Sequence, residues 1–181
     1  LSSQEEQTIL MSLEMKSREI QDGLEVLPMI CGQNWDGQKG KLRSKFGSQN
    51  QQVDLLEIYC EPNSQLVQRV NSKGGRAIRF SRTDGDLATA DGVQKLWTWI
   101  MLYEPRHIWV APDCRLWGMF SRFNMGRGTS MFEKIQFERQ QERCHLQLCN
   151  DLYLHQVGLN RHFHLEQPHG SEMIDQPDLS D

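Results

Sequence analysis

No stretch of this 181-residue chain approaches the roughly 18 consecutive apolar residues of a membrane-spanning helix. No charged-then-apolar leader opens it either, so no membrane partner is expected. Charge of one sign is not in excess. Twenty basic residues against 24 acidic ones leave a formal charge of −4, which removes any global electrostatic case for nucleic acid or membrane. Hydrophobic residues make up 38%, low for a compact domain, so part of the chain is expected to be exposed or unstructured. The five cysteines, at positions 31, 60, 114, 144 and 149, are odd in number and never paired as C-x₂-C. That excludes a regular disulfide framework and a zinc ribbon. They read as the reduced thiols of an intracellular protein, nuclear or cytoplasmic. The chain begins at Leu1 rather than methionine, as a piece of a longer polypeptide would.

What is present divides into three parts. Residues 1–31 are a helical segment. Between 4 and 28, Leu10, Leu13, Ile20, Leu24 and Leu27 follow a seven-residue a/d pattern broken only by Ser17. The pattern fits a surface helix docked on the domain, or a short coiled coil that contacts a protein partner. Residues 32–52 are rich in Gly, Gln and Ser, with four basic residues from Lys39 to Lys45, and predict a flexible basic linker.

Residues 53–178 alternate strand and helix. "VDLLEIYC" predicts a strand, and "NSQLVQRVNSKGG" a helix capped by Asn63 or Ser64. "RAIRFS" is a second strand. After the loop "DGDLATADG", Val93, Leu96, Trp97, Ile100 and Met101 recur at helical spacing up to Pro105. "HIWVA" is a third strand. Ser130 and Glu133 form a capping box for a long helix ending near Gly158, and "RHFHLEQP" is a fourth strand. Crossovers this long imply an α/β, Rossmann-like, doubly wound parallel sheet. The expected order places the "RAIRFS" strand first, then "VDLLEIYC", "HIWVA" and "RHFHLEQP", with one edge strand of the complete fold missing.

In such a sheet ligands sit outside the carboxyl ends of the strands, which brings "CEPNS", "PDCRLW" and "EQP" together. Cys114, two residues past a strand, is placed either as a buried thiol or as a nucleophile on a loop. Glu166, at the end of the neighbouring strand, would put a carboxyl into the same crevice. His162, His164 and Glu166 share one strand face, but without paired ligand spacing no metal site is expected. Trp109 reads as a core residue, and Trp117 as a candidate to line the crevice.

These strand ends carry a resemblance. "LLEIYCEPNSQL", "VAPDCRLW" and "HLEQP", in this order, resemble class I S-adenosylmethionine-dependent methyltransferases of the DNA cytosine-C5 type. Residues 53–178 are also similar to methyltransferase-like segments of dinoflagellate genomes found beside retroelement polyprotein sequence, which share "DGDL", "PRH" and "EQP". The resemblance implies S-adenosylmethionine as cofactor and DNA as partner. It implies Cys114 as the nucleophile that adds to cytosine C6 and Glu166 as the carboxyl that holds the flipped-out base. Glu57, Ile58 and Tyr59 match the acidic, aliphatic and aromatic cofactor positions, followed by Cys60 and Glu61. Pro112 matches the first proline of the cysteine loop, and Asp86 the aspartate at the adenine amino group. The family's loop glycines are replaced here by Glu61, Asn63 and Ser64, and Asp113 stands where a second proline is expected. The expectation is therefore a divergent or incomplete methyltransferase-like domain. The alternatives are a catalytically inert Rossmann-fold interaction module of a mobile-element polyprotein, or a nucleotide-binding or hydrolytic domain using Asp84 and Asp86 with a metal.

Overall fold

The computed structural model describes residues 52–180. The helical segment expected at 1–31, with its partner-binding face at 4–28, lies outside the described residues. So does the linker, Gln52 excepted.

Four short strands, β1 (Leu55–Ile58), β2 (Ala77–Phe80), β3 (His107–Val110) and β4 (His162–Leu165), form one sheet in the order β2-β1-β3-β4. Every pairing is parallel, and Leu55 stands opposite both Ala77 and His107, while His107 stands opposite His162. This is an α/β fold with a Rossmann-like parallel sheet, in the order that the crossover lengths predict. Helix α1 (Gln65–Ser72) joins β1 to β2, and α2 (Ala90–Tyr103) joins β2 to β3. Between β3 and β4 run α3 (Met119–Met125) and the 30-residue α4 (Thr129–Gly158), and α5 (Pro177–Ser180) closes the described chain.

The reversal of direction at β1 distributes the helices. Right-handed crossovers place α1 on one face of the sheet and α2 and α4 on the other. On the α2/α4 face, Leu56, Ile58, Phe80, Ile108 and Val110 are sealed from solvent. Trp97 of α2 meets His155 of α4 edge-on at 5.1 Å, and Trp99 meets Phe80 at 5.3 Å. Gln156, fully buried, donates from Nε2 to the carbonyls of Pro105 (3.3 Å) and His162 (3.0 Å), tying α4 to the starts of β3 and β4.

The opposite face is covered unevenly. Asn71 of α1 exchanges two hydrogen bonds with the Ala77 backbone, 2.8 and 3.1 Å long, and Ser64 at the start of α1 contacts Glu57. Over β3 and β4 no described helix packs on this face. There His162, His107, His164 and Trp109 lie ring by ring at 4.5, 5.4 and 5.3 Å, nearly parallel. Trp109 is therefore half-exposed rather than a core residue.

One local expectation is corrected. Helix α4 starts at Thr129 with Gly128 as its N-cap and no side-chain cap, so Ser130 and Glu133 do not form a capping box. Gly128 has φ of +145°, a conformation that favours glycine, and it delivers the chain to the helix two residues earlier. Helix α3 lies in a stretch for which the sequence predicted no element.

Candidate cofactor site

The chain leaves β1 toward β2 on one side and reaches β3 on the other, so the β1/β3 boundary is the topological switch point. A cavity of about 480 Å³ opens there, within the range of small-molecule sites. Its walls come from the residues after β1 (Tyr59, Cys60, Glu61), the end of β2 with its loop (Phe80, Ser81, Asp86), and the residues after β3 (Ala111, Pro112, Asp113). Helix α4 adds Glu142 and His145. Tyr59, Cys60, Glu61, Asp86 and Pro112 thus line one cavity. Of the other two residues expected at the cofactor, Glu57 is buried in β1 with its carboxylate accepting from the Ser64 hydroxyl, and Ile58 is sealed in the core.

Tyr59 makes the sharpest turn of the site. Its φ of +63° is left-handed, uncommon for a bulky residue, and lies directly after β1. That turn carries the ring against α4, where the hydroxyl lies 3.0 Å from His145 Nδ1 and the two rings meet edge-on at 5.4 Å. Burial pushes the phenol well above its ordinary value, with smaller contributions from Cys149 and Cys144. Burial lowers His145 against a small opposing pull from Asp86. Both groups are uncharged at neutral pH. His145 and Glu142 escaped the sequence reading because they lie in the middle of a long helix, 86 and 83 positions from Tyr59, with no local motif to mark them.

The "DGDL" loop is built by its own backbone bonds. Asp84 accepts from Ser81 N (2.9 Å), Ser81 Oγ (2.7 Å) and Arg79 (3.2 Å). Burial acts to raise the Asp84 carboxyl, but these bonds and Arg79 outweigh it and hold it low. Asp86 Oδ1 accepts from Ala88 N at 3.1 Å, while its carbonyl accepts from Thr89 N (3.0 Å) and Thr89 Oγ1 (2.7 Å). The Asp86 carboxylate stays exposed at the cavity wall. Among the described residues, no group of three or more His, Cys, Asp or Glu is placed to hold a metal ion.

The wall is acidic. Glu61, Asp86, Asp113 and Glu142 face Arg82 alone among full charges. Burial raises the Glu142 carboxyl, offset in part by a 3.2 Å hydrogen bond from Trp117 Nε1. Trp117 is buried among Leu116, Leu146 and Met173 and backs the wall rather than lining it. Such a lining suits a cationic ligand and opposes phosphate groups.

Cys114 and Glu166 are not among the lining residues. Cys114 is half-buried at the start of a turn, its carbonyl accepting from Trp117 N and Gly118 N, both at 3.0 Å. Glu166 is exposed, and its Oε2 accepts from Trp109 Nε1 at 3.0 Å on the open face of the sheet. The two strand ends are joined next door, where Gln167 Nε2 donates to the Pro112 carbonyl at 2.9 Å. The other described thiols are poor nucleophiles. Burial, then the charge of Glu57, pushes Cys60 up to about 11, and burial pushes Cys149 up to about 12 and raises Cys144.

Set against known proteins, the chain matches no family model, no curated protein and no solved structure. Among the described residues, no helix is long and apolar enough to cross a membrane.

Proposed function

We propose that residues 53–178 are a divergent methyltransferase-like domain of the cytosine-C5 type, and that the switch-point cavity takes S-adenosylmethionine. The carrying observation is the convergence of Tyr59, Cys60, Glu61, Asp86 and Pro112 on one cavity at the β1/β3 boundary. The charge balance supports the choice of ligand. S-adenosylmethionine sets a sulfonium and an ammonium against a single carboxylate and so meets the four wall carboxylates with a net positive charge, whereas nicotinamide and adenine nucleotides bring phosphates. In this reading Asp86 takes the adenine amino group, and DNA is the methyl acceptor, with Cys114 as nucleophile.

The placement of Cys114 and Glu166 outside the lining favours a second reading, an inert module that keeps the pocket without the transfer. Titration calorimetry separates the two. S-adenosylmethionine should bind more tightly than ATP or NADH, and Asp86→Ala should weaken it by roughly tenfold to a hundredfold through one charged hydrogen bond. Failure of S-adenosylmethionine to bind, or tighter binding of ATP, would overturn the ligand assignment. Binding without transfer of a labelled methyl group to cytosine-containing DNA would support the inert module.

A further inference from the structure

The segment after the cysteine loop builds a surface that neither reading uses. Helix α3 exposes Met119 (56%), Phe120 (82%) and Phe123 (66%), and the first turn of α4 exposes Met131 (40%) and Phe132 (47%). The three α3 residues stand at i, i+1 and i+4, on adjoining positions of a single helix face. The two helices form a hairpin through Gly126, Arg127 and Gly128 and pack together, with Gln136 Nε2 3.5 Å from Met125 Sδ and Ile135 buried. At 1.5 Å per residue α4 is about 45 Å long. Its contacts with the sheet are to β3 and β4, and five of its six buried residues, from Leu146 to Gln156, lie in its second half.

We infer that this hairpin is the contact surface between two copies of the chain. Two observations select a second copy over another partner. The first is area. At about 200 Å² per large side chain, the five residues expose roughly 600 Å² of apolar surface. A standard interface buries about 800 Å² per partner, of which about 450 Å² is apolar. The second is charge. A two-fold axis brings a patch against itself, so a strip of one sign would repel its copy. From Met119 to Glu138 the strip carries Arg122, Arg127 and Lys134 against Glu133 and Glu138, a net charge of only +1. Two of these cations are already paired, Lys134 with Glu138 at 3.9 Å and Arg122 with Glu172 at 3.5 Å, so the strip carries no strong field to select an oppositely charged partner.

Sedimentation velocity of the 181-residue chain across a range of micromolar concentrations tests this. The expected result is a concentration-dependent monomer–dimer equilibrium. Phe120→Glu and Phe123→Glu, both at exposed positions, should each weaken the dimer by at least about tenfold while leaving circular dichroism and thermal stability of the monomer unchanged. Hydrogen exchange gives a readout that needs no variant, because amides of residues 119–132 should become more protected as concentration rises. A wild-type chain that stays monomeric overturns the inference. So does open-ended association, or a dimer that both variants leave intact. A loss of monomer stability in Phe120→Glu also overturns it, since that would mean the chain covers the face itself.

Discussion

Gly92→Ala sets two principles against each other, and the structure decides the sign. Gly92 is the third residue of α2, is buried, and donates its N–H to Thr89 Oγ1 at 3.2 Å. Helix propensity alone favours alanine, by up to about 1 kcal/mol in a helix interior and less in a first turn. A methyl group here would lie 2.0 Å from the Asp86 carbonyl oxygen, 2.5 Å from its carbon and 2.9 Å from the Asp86 nitrogen. All three are backbone atoms, so no side-chain rotation relieves the contact. Reaching an ordinary separation of about 3.5 Å requires the "DGDL" loop to move by roughly 1.5 Å. Overpacking of this kind costs about 1–3 kcal/mol, and the displaced Asp86 carbonyl stands to lose its two bonds from Thr89, each worth about 1 kcal/mol net. The balance is a destabilisation of about 2–5 kcal/mol, or a melting temperature lower by about 6–20 °C for a domain of this size. Gly158→Ala is the control. Nothing lies within 4 Å of its would-be methyl group at the end of α4, and the substitution should be neutral or stabilise by up to about 1 kcal/mol. Melting followed by circular dichroism reads both, and calorimetry on Gly92→Ala should show weakened S-adenosylmethionine binding, because Asp86 moves with its loop. A Gly92→Ala protein as stable as the wild type would refute the close approach of α2 to Asp86.

Gln156→Leu should cost about 2–4 kcal/mol in urea unfolding, since it leaves the buried carbonyls of Pro105 and His162 without their donor; a cost under about 0.5 kcal/mol would refute that role. His145 is held below its ordinary value of 6.5 in the folded chain, so the unfolded chain takes up the proton first. Its contribution to stability is complete above pH 6.5 and declines as pH falls through that value toward the lower folded one. His145→Gln should flatten the dependence of melting temperature on pH in this window, leaving the share of His107, which burial also lowers; an unchanged slope would show that His145 does not titrate this way. Alkylation at pH 8 followed by peptide mass spectrometry should label Cys114 before Cys60, Cys144 and Cys149, whose thiols are raised by burial. Labelling of Cys149 first would mean that α4 opens locally at little cost.

The four strands, the helices α1, α2 and α4 and the strand order were legible from the chain alone because they rest on short-range periodicity and on one chirality rule. The apolar runs "LLEI" and "HIWV", the spacing from Val93 to Met101, and crossovers too long for hairpins leave a parallel sheet with few possible orders. Right-handed connections then select β2-β1-β3-β4. That the residues after β1, β2 and β3 meet at one cavity was legible for the same reason, since strand ends in such a sheet converge wherever the order reverses. Tertiary structure alone decided which distant groups complete the cavity. His145 and Glu142 reach it only because a 30-residue helix crosses behind the strand ends, and nothing in their sequence neighbourhood encodes that crossing. It also decided the direction of Glu166. The carboxyl at the end of β4 meets the indole of Trp109, on a face that no described helix covers, and a strand pattern specifies alternation without saying which face is left open. The apolar residues of α3 follow the same logic. Nothing in the sequence around them marks them as exposed, and only the packing of the domain leaves Phe120 and Phe123 in solvent.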